Sequence, residues 1–138
     1  MQPVPRKLTT LQKAVLIRAL REFPGQDVEI RYCSLASDAL SYAQDFLTVF
    51  KAIGWKVDDA TRSDDLAGRL TGLGYVVNGQ NSLPLSAEVL RDSLRIYEIE
   101  VVTICDPACA VIPQGFILAV GPQSENAIRA DFSTADSG

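Results

Sequence analysis

The sequence predicts an α/β fold in three layers, with a mostly parallel sheet of about five strands and helices on both faces. The first observation behind this is a construction that occurs twice. Val28, Ile30 and Tyr32 alternate along a strand at 28–33, an amphipathic helix follows, and Trp55-Lys56-Val57 starts another strand. Tyr75-Val76-Val77 likewise leads to a second amphipathic helix and then to Ile99-Glu100-Val101-Val102. Each strand–helix–strand unit implies a parallel pair joined by a crossover. The second observation is bulk composition. A chain of 138 residues, 47% hydrophobic and 22% charged, suits a single globular domain. That domain is assigned to residues 1–122, and 123–138 read as a flexible, acidic tail of small polar residues.

Taken in order, Pro3 and Pro5 give an extended lead-in. Thr9 and Gln12 have the spacing of a capping box for a helix over about 9–23, closed by Pro24-Gly25. Its apolar positions are Leu8, Leu11, Val15, Leu16, Leu20 and Phe23, a stripe that needs the cover of a sheet. After the first strand, Ser34 or Ser37 offers a cap. The helix that follows presents Leu40, Ala43, Phe46, Leu47, Phe50 and Ile53, and Gly54 ends it in the C′ position. Residues 58–74 read as a loop with one helical turn, anchored by Leu66, Leu70 and Leu73. The third strand is 75–78. Pro84 suits the first turn of the next helix, with Leu85, Val89, Leu90, Leu94 and Tyr97 on its buried face. The fourth strand is 99–104, a loop at 106–114 packs Val111 and Ile112, and Phe116–Val120 is the fifth. The expected strand order is 2-1-3-4-5, with the fifth strand antiparallel at the far edge because no helix precedes it.

Composition excludes several kinds of chemistry. The chain has no histidine, so no mechanism built on an imidazole base is available, and the commonest zinc ligand is missing. A net charge of −4 argues against nucleic acid as a partner. The one basic cluster, Arg6, Lys7, Lys13, Arg18 and Arg21, reads as the solvated face of the first helix. Three cysteines in no scaffold spacing, Cys33, Cys105 and Cys109, indicate a reducing, cytoplasmic setting. Cys105 and Cys109 have three residues between them rather than two, and read as incidental thiols. Asp58-Asp59 and Asp64-Asp65 lack the alternation and closing Glu of a calcium loop. Gly72-Leu73-Gly74 precedes a strand instead of following one, so it is no dinucleotide fingerprint. The run Ala14-Val15-Leu16-Ile17 is broken by Arg18 and too short to cross a bilayer. No cofactor, metal site or catalytic residue is expected.

What remains are the loops after the first and third strands. Ser34, Ser37 and Asp38, with Asn78, Gln80, Asn81 and Ser82, are expected to converge where those strands lie side by side. Both following helices would aim free N–H groups at that crevice, which suits a small anionic or nucleotide-like ligand. The competing reading is that the same side chains cap helices and turn the chain.

The sequence Ala19–Gly25, Val28-Glu29-Ile30, Ala43–Phe46 through Ile53–Val57, Pro84–Arg95, Ile99–Val102 and Ile112-Pro113 through Val120-Gly121 resembles the C-terminal soluble α/β domain of small, often membrane-anchored bacterial proteins of unknown function. The likeness covers most of residues 8–122. It implies a cytosolic module that meets a membrane only through a segment absent from this chain, and it implies no activity. The expectation is therefore a non-catalytic module for ligand sensing or protein interaction. Residues 28–57 also look loosely like the opening strand and helix of a Toll/interleukin-receptor domain, some of which cleave NAD, which gives a nucleotide-processing enzyme as the alternative. Homodimerisation through an apolar patch near Trp55 is a third.

Overall fold

The computed structural model describes residues 4–79, 83–108, 112 and 115–123. Helix α1 (Thr10–Leu20) precedes strand β1 (Asp27–Tyr32), helix α2 (Ala39–Ala52), and the two short strands β2 (Lys56–Val57) and β3 (Thr61–Arg62). A 3₁₀ turn (Asp64–Leu66), β4 (Leu73–Val77), α3 (Leu85–Arg95), β5 (Val101–Cys105) and β6 (Gly115–Val120) follow. The sheet order is β2-β1-β6-β4-β5, with β3 also paired to β1. Both expected strand–helix–strand units are present: β1 is parallel to β2, and β4 to β5.

The expected strand order is corrected at its centre. β6 lies between β1 and β4, parallel to the first and antiparallel to the second. Phe116 through Val120 are all buried, as a strand covered on both faces must be. Gly115 admits this placement, because a Cβ there would collide with the Asp27 carbonyl oxygen of β1.

The layer arrangement follows from the same insertion. Since β6 runs with β1 and against β4, β1 and β4 point in opposite directions. Their crossovers also move outward in opposite directions. Two right-handed crossovers so related put their helices on one face of the sheet, not on two. The packing agrees. Leu16 and Leu20 of α1, Phe46 and Phe50 of α2, and Leu90 and Leu94 of α3 share one core with Val28, Ile30, Tyr75, Phe116 and Leu118. Helix α1 packs against both α2 and α3. The other face carries a smaller cluster, in which Leu66 of the 3₁₀ turn and Leu70 just after it cover Cys33, Val76, Ile117 and Ala119. Loop, not α-helix, thus covers that side among the described residues.

Local signals worked where capping chemistry was explicit. Thr9 and Gln12 form both bonds of the capping box at α1. At the end of α2, Gly54 has φ +81°, its N–H donates to Lys51 O, and the Trp55 N–H donates to Phe50 O. This is a Schellman motif, and its apolar contact is the Trp55 ring stacked on Phe50 at 5.2 Å. Trp55 is therefore buried, with Nε1 donating to Phe23 O at 2.7 Å. Ser34 and Ser37 do not cap α2, whose N-cap position is Asp38 with no side-chain cap bond. Leu11, Leu40 and Leu85, expected inside, are exposed.

Beyond α3, Glu98 holds a left-handed conformation at φ 61°. A side chain there is strained, so Glu98→Gly should stabilise the protein by about 0.5–1 kcal/mol. Urea unfolding midpoints of the two proteins check this.

Candidate functional site

Of the residues expected to form one crevice, those the structure describes fall at two ends of the sheet. Tyr32 and Leu73 both lie level with Val120 of β6. The exit of β1 is therefore beside the entry of β4. Ser34, Ser37 and Asp38 stand at that rim, and Asn78 follows β4 at the opposite one, roughly 15–20 Å away along the strands. Gln80, Asn81 and Ser82 lie outside the described residues, as do Cys109 and Val111 of the following loop and residues 124–138 of the expected tail.

At the β1 rim, the polar side chains are taken up by the fold itself. The backbone N–H and the hydroxyl of Ser34 both donate to Asp64 Oδ1 at 2.7 Å. Arg62 Nε donates to Asp64 Oδ2 at 2.7 Å. The bonds from Ser34, then that from Arg62, hold the Asp64 carboxyl below its ordinary pKa. This ties the loop after β1 to the segment after β3. Ser37 is exposed.

Asp38 is more heavily engaged. Its Oδ2 accepts from the Arg6 backbone N–H at 2.8 Å, from Arg6 Nε at 3.0 Å and from Gln123 Nε2 at 3.0 Å. Its Oδ1 accepts from Arg6 Nη2 at 2.9 Å. Burial alone would raise the Asp38 pKa, but the side-chain and backbone bonds from Arg6 outweigh it and bring the pKa below the ordinary value. The Arg6 guanidinium also sits 5.1 Å from the centre of the Tyr42 ring. Burial pushes the Tyr42 hydroxyl up to about 12, against the charge of Arg6. One helical stretch further, Asp45 accepts from the Leu8 N–H at 2.9 Å and faces Lys13 Nζ at 3.5 Å. Residues 4–8 are thus strapped along α2, and Gln123, expected in the tail, is bound to the same carboxylate. A clamp built this way positions chain segments, and the Asp38 carboxylate at its centre is already committed to Arg6 and Gln123.

A cleft of about 180 Å³ opens elsewhere, on the outer side of β1. Val28 is opposite Val57 and Arg31 is opposite Thr61, so Glu29 and Ile30 face the three residues 58–60. That two-against-three mismatch is a bulge, and it pushes the chain off the sheet edge. The cleft is lined by Asp27, Glu29, Asp58, Asp59, Thr61 and Ile112, among others. Glu29 takes Arg31 Nε at 2.7 Å, and Asp59 faces Lys51 Nζ at 4.0 Å. Four carboxylates give this opening a negative potential, which repels phosphates. Among the described residues, no group of three or more Cys, Asp or Glu side chains is placed to hold a metal ion. Asp58-Asp59 was the visible signal in the sequence, but the bulge that turns it toward β1 was not.

The remaining open feature is β5. It is the last strand of the sheet, with no strand on its outer side among the described residues. Val102, Thr103 and Cys105 are exposed, and no residue from Val101 to Cys105 carries a charge. Among the described residues no helix is long and apolar enough to cross a membrane. Comparison with family models, with curated proteins and with solved structures finds no match to this chain.

Proposed function

We propose that this chain is a non-catalytic interaction module that recognises a protein segment by surface complementarity and does not turn over a substrate. The observation that carries this reading is how the polar and apolar surfaces are used. Ser34 and Asp38, the side chains best suited to bind a small ligand, are spent on Asp64, Arg6 and Gln123. Among the described residues, no strand lies beside the uncharged edge of β5. Chemistry needs convergent, unspent polar groups, whereas recognition of a peptide needs an open backbone edge.

The competing enzyme reading makes a different prediction. The protein incubated with NAD should release no nicotinamide, and a panel of nucleotides should leave its melting temperature unchanged. Nicotinamide release above a no-protein control overturns the proposal.

A further inference from the structure

Resting on that reading, we infer that β5 is the docking edge and that its occupant is an extended peptide with alternating β-branched residues between basic residues at both ends.

The direction of the free backbone groups follows from one bond. The Asp106 N–H donates to Val77 O of β4 at 2.7 Å. In a parallel ladder, the N–H and C=O of one residue face the same neighbour and successive residues alternate. Asp106, Ile104 and Val102 therefore face β4. Val101, Thr103 and Cys105 turn their N–H and C=O groups outward, three donors and three acceptors in a row.

Nothing in this strand guards that edge. It holds neither proline nor charge, and it is five residues long. The opposite edge of the same sheet is protected in the usual ways: β2 and β3 have two residues each, a bulge separates them, and Lys56 and Arg62 are exposed there. An incoming strand on β5 would also cover Val102, which is 47% exposed on the face away from the helices.

Charge selects the occupant. Glu98 and Glu100 stand exposed before the strand, and Asp106 follows it. Glu100 faces Arg95 Nε at 4.0 Å, and the same guanidinium meets Asp92 through Nη1 at 3.9 Å. A second copy of this chain fits badly. Antiparallel two-fold pairing about Thr103 would set Glu100 of one copy opposite Asp106 of the other, at both ends of the new ladder, and like charges directly opposite are destabilising. A peptide with lysine or arginine at its ends meets acid at both ends. Backbone bonds then supply affinity, and the flanking charges supply selectivity.

The test uses the full chain and two blocked, fluorescent peptides, Lys-Val-Thr-Val-Thr-Val-Lys and Glu-Val-Thr-Val-Thr-Val-Glu, read by anisotropy. The lysine peptide should bind and the glutamate peptide should not. Thr103→Pro removes only an outward N–H, since proline is tolerated where the N–H side of an edge strand faces solvent. It should weaken lysine-peptide binding about tenfold or more while circular dichroism and melting temperature hold. The double variant Glu100→Lys, Asp106→Lys should exchange the preference between the peptides. If Thr103→Pro does not fold, amide exchange in the unaltered protein decides: Thr103 and Cys105 should exchange more slowly with the lysine peptide present. Absence of binding, binding that Thr103→Pro leaves intact, or unchanged exchange at Thr103 and Cys105 overturns the inference. So does a concentration-dependent dimer that Thr103→Pro abolishes, which makes a second copy the occupant. None of these results touches the broader reading, which falls only to turnover.

Discussion

Phe116→Ala should lower stability by about 3–5 kcal/mol, the cost of removing a large ring from a core that cannot collapse around the gap. The Phe116 ring meets three others: Tyr75 at 5.2 Å, Trp55 at 6.0 Å and Phe50 at 6.1 Å, all edge-on. These rings come from α2, the turn after it, β4 and β6. The residue therefore joins the two halves of the sheet to the helical layer. For a domain of this size the loss corresponds to a fall in melting temperature of roughly 10–20 °C. Leu11→Ala, at a site 67% exposed, provides the control and should change stability by less than about 0.5 kcal/mol. The comparison tests the sheet order directly. A strand at the sheet edge would leave Phe116 partly solvated, and the two variants would then melt close together.

The position of β6 was legible in one respect and hidden in another. Phe116-Ile117-Leu118-Ala119-Val120 is an unbroken apolar run, the pattern of a strand buried on both faces, whereas Val101–Cys105 carries Thr103 and exposed side chains. Chain order pointed the other way, because successive strands without a helix between them usually pair. The direction was read correctly: β6 runs opposite to β5. Its neighbour was not, since the chain passes over β4 to reach the centre.

Everything misplaced in the expected site descends from that step. Periodicity locates strands and helices and identified both parallel units, while residue types at the helix ends identified the capping box at Thr9 and Gly54 as the C′ residue of α2. Neither determines which way one unit faces relative to another. Once β6 reverses β4, Asn78 leaves the rim that holds Ser34 and Asp38, and the helices gather on one face. The acidic cleft was hidden for a related reason. It arises from a register mismatch between β1 and residues 58–60, and registers between distant segments leave no local trace. Arg6 and Asp38 are 32 positions apart, so nothing in their spacing announced the pair.

Asp38→Ala should cost about 3 kcal/mol, because it strands a guanidinium that the fold has already taken from water. The side chains of Arg6 and Asp38 are 16% and 9% exposed, and Arg6 Nη1 is buried with no hydrogen-bond partner among the described residues even when Asp38 is present. Removing the carboxylate leaves Nε, Nη2 and the Arg6 backbone N–H without their acceptor as well. Asp38→Asn keeps the shape and one acceptor oxygen while losing the charge, and should cost about half as much. The difference between the unaltered protein and Asp38→Asn should depend on pH with a definite sign. The folded-state pKa of Asp38 is lowered, so the stability it contributes is fully present above the ordinary carboxylate pKa of about 4. That contribution is lost as pH falls through the lower folded value. Urea midpoints at a series of pH values should therefore converge as the solution is acidified below about pH 4 and stay apart at neutrality. The same clamp holds the segment from Val4 to Leu8 on α2, with Asp45 taking the Leu8 N–H. Releasing it should also expose the Arg6-Lys7 bond, so trypsin should cut Asp38→Ala there faster than the unaltered protein at a temperature well below unfolding. Equal cleavage rates, or an Asp38→Ala cost under about 0.5 kcal/mol, would show that the strap is held by Asp45 and apolar contacts alone.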